Sequence, residues 1–455
     1  MKSLQSKTLH ESKLLLKLAG PIIVGQVGQN LIQLADTLLV GALGPVALGA
    51  SAFAGSLFIV FLIFGLGILA PTTALFAKMQ GQENFPHGGV LLRHSLAVAL
   101  GISAVLIAAI YLLIPHLAWF GQRAEILSLG MPFLKIITWS ILPSMIYQCY
   151  KQFTDGIGKT KVGMYVMIAG VIINVALNYV LIHGSYGFPR LGLNGSAWAT
   201  LIARTLMAFG MVLYVHLHPK FKVYMAERWI HNFDHQILKS MLRLGIPTGF
   251  TYFFEVGAFS SAAVMMGWFG AIPLAAHQIT ISLASTSFLI TLGIGIAASI
   301  RVGFEMGRGD YSLARHAGFT AIKIGGFYMG LCALGFFFLR HWFPTFYVTD
   351  PDVIEWAARF FVVVAIFEIF DGVQAVSIGA LRGMSDTQWP GIIAFFAYWV
   401  MGLPGGYLLA FHLGAGPVGI WLGLLIGLIF ASVFLSWRFH RLSHRYLSSS
   451  SSPET

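Results

Sequence analysis

Twelve apolar segments, each long enough to cross a lipid bilayer, follow one another along the chain. A spanning helix needs about 20 apolar residues at roughly 1.5 Å per residue, so this succession predicts membrane helices. With 57% hydrophobic and 10% charged residues, the composition excludes an ordinary soluble domain. The predicted spans are residues 18–41, 47–77, 89–115, 129–152, 162–184, 195–217, 244–268, 272–300, 316–340, 356–381, 388–412 and 417–437. We therefore expect an all-α integral membrane protein.

The second half of the sequence is a copy of the first half. Pro21 aligns with Pro247 at an offset of 247 − 21 = 226, and Gly44 aligns with Gly270 at 270 − 44 = 226. The sequence therefore predicts two six-helix bundles related by a parallel repeat. Several secondary transporters are built from such repeats and bind their substrate between the halves.

The repeat and the longest polar connection set the expected domain boundaries. We expect a cytoplasmic amphipathic N-terminus (1–17), an N-terminal six-helix lobe (18–217), a cytoplasmic linker (218–240), a C-terminal six-helix lobe (241–440) and a disordered cytoplasmic tail (441–455).

The positive charges lie mainly on one side of the predicted membrane. Both termini and the even-numbered connections hold nearly all Lys and Arg residues, and the opposite side has Arg123, Arg190, Arg340 and Arg359. By the positive-inside rule both termini are cytoplasmic, which agrees with an even number of spans. The net charge of +11 alone would suit a nucleic-acid-binding protein, but this distribution of the charges indicates a multi-pass membrane protein instead.

Polar residues of three N-terminal spans are expected at one depth. Asp36 lies about sixteen residues into its helix, roughly 24 Å from the cytoplasmic end. Asn174 and Asn178 share one face of span five, and Thr200 lies near the outer end of span six. A carboxylate, two amides and a hydroxyl suit Na⁺, or a proton held on Asp36. Hydrogen bonds that only fix helix packing are the alternative.

Three carboxylates are expected near the middle of the membrane in the C-terminal half: Glu255, Glu368 and Asp371. A charge there costs at least ~2.5 to 3.5 kcal/mol, and neighbouring carboxylates in a low dielectric cannot all be ionised. One of them would therefore hold a proton or recruit a cation such as Na⁺. Neutralisation by a neighbouring donor is the alternative, above all for Glu368.

Two basic residues also lie inside predicted spans, and a set of aromatic residues could line a substrate cavity. Lys135 is close enough to the outer membrane surface to snorkel. Arg204 is one turn from Thr200 on the same face and could pair with Asp36, which would weaken cation binding there. Aromatic side chains could line a cavity for flat organic cations, although at helical spacing such residues more often only pack. The aromatic candidates are Tyr252, Phe253, Phe259 and Phe288.

Several motifs in order make the chain resemble the multidrug and toxic compound extrusion (MATE) family, in particular its NorM-type bacterial members. The motifs are LAGPIIVGQ and LADTLLVGALGPVALGA near the start, LGLNGSAWAT at 191–200, LAAHQI at 274–279, RVGFEMGRGD at 301–310 and GALRGMSDT at 379–387. The resemblance covers roughly residues 16–437.

The resemblance implies a V-shaped pair of six-helix bundles in the bacterial inner membrane. It implies an antiporter that works as a monomer and exports cationic amphipathic drugs in exchange for Na⁺ or H⁺ by alternating access. A family cation site would map to Asp36, Asn174, Asn178 and Thr200. The NorM-type acidic pair would map to Glu255 and Asp371. Pro21 would be a hinge in span one, since proline removes a backbone donor and permits bending.

Other functions fit the sequence less well. A lipid-linked flippase of the same superfamily would need a strongly cationic cavity, whereas acids outnumber bases in these spans. An integral membrane enzyme would need a clustered metal or nucleophile set, and no such motif is visible. An ion channel would need a filter-like loop or charged ring. We expect neither catalysis nor a cofactor.

Overall fold

The computed structural model describes residues 2–185, 187–225 and 234–450, and in these ranges it contains helices but no strand. Twelve long helical segments correspond one to one with the twelve predicted spans, which confirms the predicted all-α architecture. They are α1 Lys2–Gly41, α2 Pro45–Gly81, α3 His87–Leu113, α4 Ala124–Gly156, α5 Lys161–His183, α6 Leu193–Leu217, α7 His235–Gly267, α8 Ala271–Arg308, α9 Tyr311–Phe338, α10 Pro351–Gly383, α11 Gln388–His412 and α12 Pro417–Ser450.

Within the described ranges, 11 of these helices are long and apolar enough to cross a membrane. The other helix is α7, whose 33 residues include Glu255 and several hydroxyl side chains that lower its hydropathy. Large apolar side chains are exposed on the surface, as expected of helices that face lipid, for example Leu112 at 74% and Phe338 at 73%.

Three of the spans are interrupted. Helix α2 breaks between Leu69 and Thr72, where Pro71 lacks the amide hydrogen that a continuous helix needs. Helix α4 breaks between Thr138 and Ile141. Helix α11 contains two π-helical stretches, Phe396–Gly402 and Leu408–His412. Short 3₁₀ turns cover Ile114–Phe120, Pro219–Met225 and Phe343–Phe346.

The backbone repeats the internal symmetry of the sequence. Residues with positive φ lie in the connections between helices at matching places in the two halves: Gly44 (φ 105°) and Gly270 (φ 109°), Glu83 (57°) and Gly309 (77°), Gly158 (77°) and Ser385 (61°). Their offsets are 270 − 44 = 226, 309 − 83 = 226 and 385 − 158 = 227. Residues other than glycine rarely adopt positive φ, so the turn geometry is kept even where glycine is absent.

Contacts group the chain into two compact units. The N-terminal unit is Val24–Gly249, and the described residues of the C-terminal unit are 2–23 and 250–450. The sequence placed the lobe boundaries at residue 18 and at 218–240. The contacts instead divide α1 just after Pro21 and α7 just after Pro247, because the two parts of each helix pack in different units.

The N-terminal part of α1 is fixed within the C-terminal unit by an ion pair. Arg301 donates from Nε to Glu11 Oε1 at 2.7 Å and from Nη2 to Oε2 at 2.9 Å. Arg301 also pairs with Glu305 at 2.9 Å. Glu11 is only 2% exposed, so this pair is shielded from solvent.

The C-terminal tail is helical for longer than expected. Residues 441–450 continue α12, whereas the sequence predicted disorder for 441–455. Residues 451–455 lie outside the described residues, as do residues 226–233 of the predicted linker.

Each unit has its own apolar core, and close glycine contacts bring the polar helices together inside it. In the N-terminal unit, Gly195 of α6 lies against the carbonyl of Leu181 of α5, so any side chain at that position would clash. In the C-terminal unit, Gly379 of α10 lies against the carbonyl of Gly295 of α8 in the same way. These contacts place α5 beside α6 and α8 beside α10.

Candidate ion sites in the two units

Asp36 lies at the centre of a hydrogen-bond network in the N-terminal unit. Asn178 donates from Nδ2 to Asp36 Oδ1 at 2.6 Å, and Thr200 donates from Oγ1 to Asp36 Oδ2 at 3.0 Å. Asn174 donates to Thr200 Oγ1 at 3.3 Å. The two asparagines and the threonine are at most 1% exposed, while Asp36 is half-buried. The structure therefore brings together all four residues that the sequence placed at one depth.

One oxygen of this network has no partner. Asn178 Oδ1 is buried without a hydrogen-bond partner, while Nδ2 lies within reach of Asp36 and of the Asn174 carbonyl. A buried amide oxygen without a donor costs about 1 to 3 kcal/mol, and a cation or an acidic proton would satisfy it. Together with the carboxylate, this oxygen fits the ligand chemistry of Na⁺.

Arg204 does not form an ion pair with Asp36 within 4 Å in the described part of the chain. Its Nη1 donates instead to Ser140 Oγ at 2.9 Å, and its Cζ lies 5.3 Å from the centroid of the Phe58 ring. The direct pairing of Arg204 with Asp36, which the sequence left open, is therefore absent. Lys135 is exposed, consistent with snorkelling.

The three candidate carboxylates of the C-terminal unit, Glu255, Glu368 and Asp371, have fewer partners. Ser287 of α8 donates to Glu368 Oε2 at 2.7 Å, while Glu368 Oε1 is buried without a partner. Glu255 and Glu368 both interact electrostatically with Asp371. Glu368 is 0% and Asp371 6% exposed, whereas Glu255 is half-buried. These three carboxylates thus bring negative charge together with little hydrogen bonding to stabilise it.

Glu255 opens onto a cavity of the C-terminal unit. Tyr252, Phe288 and Arg382 line the same cavity. Arg382 donates to the Tyr252 hydroxyl at 3.2 Å. The other two aromatic candidates are not among the lining residues. Phe253 is 38% exposed, and Phe259 packs edge-on against Phe367 at 6.1 Å.

Sequence reasoning missed four polar residues that support these sites. Ser140 holds Arg204, Ser287 holds Glu368, and Tyr398 donates to Gln374 Oε1 at 2.9 Å beside the C-terminal carboxylates. Each of the four is a polar residue within an apolar segment, which the sequence alone could have singled out. The sequence could not identify the residue that each one contacts, because contacts between helices depend on how the helices pack.

The described residues contain no group of three or more His, Cys, Asp or Glu side chains that could hold a metal ion. A transition-metal centre is therefore not indicated in that part of the chain. A site for Na⁺ needs fewer charged ligands, because carbonyl, amide and hydroxyl oxygens also coordinate hard cations.

The two halves of the chain each match one family model. The MatE model matches residues 21–180 and 247–408, which together exceed half of the chain. The chain belongs to the MatE family. The two matched ranges begin at the repeat-related prolines, Pro21 and Pro247, so the family model matches once in each repeat, over α1–α5 and over α7–α11.

Relatives of this MatE protein extend over almost its whole length. It is 33% identical to the probable multidrug resistance protein NorM of Pseudomonas putida, over 95% of this chain and 96% of that protein. It is 36% identical to the multidrug resistance protein NorM of Burkholderia vietnamiensis, over 93% and 92%. The Vibrio cholerae MATE transporter VcmN in its bent form matches with a TM-score of 0.86 at 18% identity, over 97% and 99%. At that identity the structural match supports the fold.

Within this MatE chain, the matched ranges contain most of the candidate ion ligands. Asp36 and both asparagines lie in the first range, and the three C-terminal carboxylates lie in the second. Thr200 and Arg204 lie in α6, outside both ranges. For those two residues the assignment therefore rests on the geometry alone.

Proposed function

We propose that this protein is a multidrug efflux transporter that exports cationic amphipathic compounds in exchange for Na⁺ or H⁺. Membership of the MatE family and relatives named multidrug resistance protein NorM support transport rather than catalysis. We propose the inner membrane of a bacterium as its location, which the candidate membrane spans and the bacterial relatives support. The distribution of Lys and Arg supports a cytoplasmic position for both termini.

The observation that carries the coupling proposal is the environment of Asp36. A carboxylate inside a membrane protein is costly unless it serves an ion path, and this one is met by two donors from two other helices. A coupling cation therefore reaches a carboxylate that is already oriented. The three carboxylates of the C-terminal unit form the second candidate site for the ion or for the cationic group of the drug.

The Asn178 side chain gives a physical route by which ion binding changes the protein. In the structure its Nδ2 faces the carboxylate, which suits an ionised Asp36. Na⁺ or a proton on Asp36 needs an acceptor there, so the amide would turn and present Oδ1, which now has no partner. This turn would exchange the hydrogen bonds between α1 and α5 and shift the balance between conformations.

Thermodynamic coupling between drug binding and cation binding then explains alternating access. If the drug and the cation favour different conformations, binding of one releases the other, and the effect is reciprocal. We propose Pro21 as a hinge for this change, because α1 is divided between the two units just after it.

Purified protein in liposomes loaded with ethidium tests this function. We expect efflux when an inward Na⁺ gradient or an inward proton gradient is imposed, and the effective gradient identifies the coupling ion. Efflux should be lost in Asp36→Asn. Correctly inserted protein that moves ethidium under neither gradient would contradict the proposal and favour a lipid-linked substrate.

A further inference from the structure

Arg204 is a positive charge inside the N-terminal unit with a neutral partner. It lies in α6, half-buried, and its guanidinium donates to the hydroxyl of Ser140 at 2.9 Å. It lines a cavity together with Gln29, Tyr147 and Gln148. In the described part of the chain no carboxylate lies within 4 Å of it, so its charge is not cancelled by a direct ion pair.

The position of Arg204 ties this charge to the candidate ion site. Thr200 and Arg204 are four residues apart on α6 and therefore share one face of the helix. Thr200 contacts Asp36 at 3.0 Å, so the guanidinium lies about one helical turn from the carboxylate. Arg204 is also the charged residue that interacts electrostatically with Asp36.

We propose that Arg204 sets the ion affinity of the Asp36 site and restricts it to monovalent cations. This inference rests on the proposed antiport function. Asp36 and Arg204 together carry no net charge, so a bound Na⁺ or proton leaves a charge of one and a divalent ion leaves a charge of two. In a low dielectric the second charge is strongly disfavoured.

Ser140 has a defined part in this arrangement. By accepting the hydrogen bond from Nη1, it holds the guanidinium away from Asp36. A guanidinium that reached the carboxylate would form a bidentate ion pair, and such a pair would exclude the coupling ion. Arg204 is therefore near enough to weaken ion binding and is held far enough away to permit it, which allows the ion to leave in every cycle.

The test is displacement of ethidium from the purified full chain by Na⁺ at fixed pH and by protons at fixed Na⁺. The midpoint of displacement reports the apparent ion affinity. In Arg204→Gln we expect the midpoint to move about tenfold toward lower ion concentration. One nearby charge shifts the pKa of a carboxylate by about one unit or more, and we expect a similar change in its affinity for a cation. We also expect Mg²⁺ to displace ethidium from this variant but not from the wild type.

Three further variants separate charge from structure. Arg204→Lys keeps the charge and should keep the wild-type midpoint. Lys135→Gln removes an exposed positive charge of the same unit and should have no effect. In an Asp36→Asn background, Arg204→Gln should no longer move the midpoint, because the two residues act on the same ion.

Ser140→Ala tests the inference even if Arg204→Gln does not fold. Without its acceptor, the guanidinium should approach Asp36 and move the midpoint about tenfold toward higher ion concentration. An unchanged midpoint in Arg204→Gln overturns the inference, and so does an unchanged midpoint in Ser140→Ala if Arg204→Gln does not fold. A wild type from which neither ion displaces ethidium contradicts the proposed antiport itself, so the two failures are distinguishable.

Discussion

The two units are copies in sequence and backbone, but their ion sites differ in how negative charge is stabilised. The candidate ion site of the N-terminal unit has a single carboxylate, Asp36, with a donor on each oxygen. The candidate site of the C-terminal unit has three carboxylates, Glu255, Glu368 and Asp371, and among the described residues we find one hydrogen bond to them, from Ser287. Duplication thus preserved the scaffold while the polar residues diverged.

The difference indicates different roles. A carboxylate that accepts two hydrogen bonds is stabilised as an anion, so it binds an ion without first gathering compensating charge. Three interacting carboxylates with one hydrogen-bond donor are costly to ionise together, so we expect this site to hold a proton or a cation. We therefore expect the N-terminal site to switch between empty and occupied, and the C-terminal site to exchange one positive group for another.

The largest effect is expected from Asp36→Asn. The N-terminal unit has no second carboxylate in this network, so ion-driven ethidium efflux should fall to the level of empty liposomes. The matched control is Asp352→Asn, which changes an exposed aspartate at the start of α10 and should keep wild-type efflux. Residual ion-driven efflux in Asp36→Asn would mean that the C-terminal carboxylates suffice.

Asn178→Asp gives the N-terminal site a second carboxylate, so that it resembles the C-terminal site with its several carboxylates. The new carboxylate would stand where an amide now lies 2.6 Å from Asp36, and two such groups cannot both be ionised. We expect the apparent ion affinity, measured by ethidium displacement, to rise more than about tenfold. Gln122→Glu adds the same charge at an exposed position and should leave it unchanged. A weaker ion affinity in Asn178→Asp would contradict the comparison.

Glu368→Gln should reduce transport without abolishing it. Glu255 and Asp371 remain, so the cluster still holds one positive group, and we expect efflux to fall several-fold rather than to zero. The initial rate of ethidium efflux, compared with that of Asp36→Asn, measures this difference. Equal loss in both variants would show that the two sites are equally indispensable.

The smallest effect is expected from Ser287→Ala, in stability. Loss of the hydroxyl leaves both oxygens of the buried Glu368 carboxyl without a side-chain donor, which costs about 1 to 3 kcal/mol. Thermal unfolding of the purified protein should occur at a lower temperature than in the wild type. Thr286→Ala removes an exposed hydroxyl that bonds only to the Ser282 carbonyl, so its unfolding temperature should stay unchanged.

Much of the fold could be predicted from the sequence because hydropathy and repeat spacing are local signals. Runs of apolar residues gave twelve spans, and residue counts along α1, α5 and α6 gave a common depth for Asp36, Asn178 and Thr200. The interruptions of α4 and α11 were not predicted, since they depend on the packing of neighbouring helices. The pairing of Arg204 with Ser140 was missed for the same reason, because residues 64 positions apart meet only after packing.

The division of α1 between the two units has a consequence for synthesis in the cell. Glu11 lies 290 residues before its partner Arg301. At 5 to 20 residues per second, the ribosome needs roughly 15 to 60 s to make the segment between them. During that time Glu11 has no Arg301 to pair with, so the ion pair that holds the first half of α1 in the C-terminal unit cannot form. The first half of α1 is therefore made first but completes its contacts only after Arg301 has been translated.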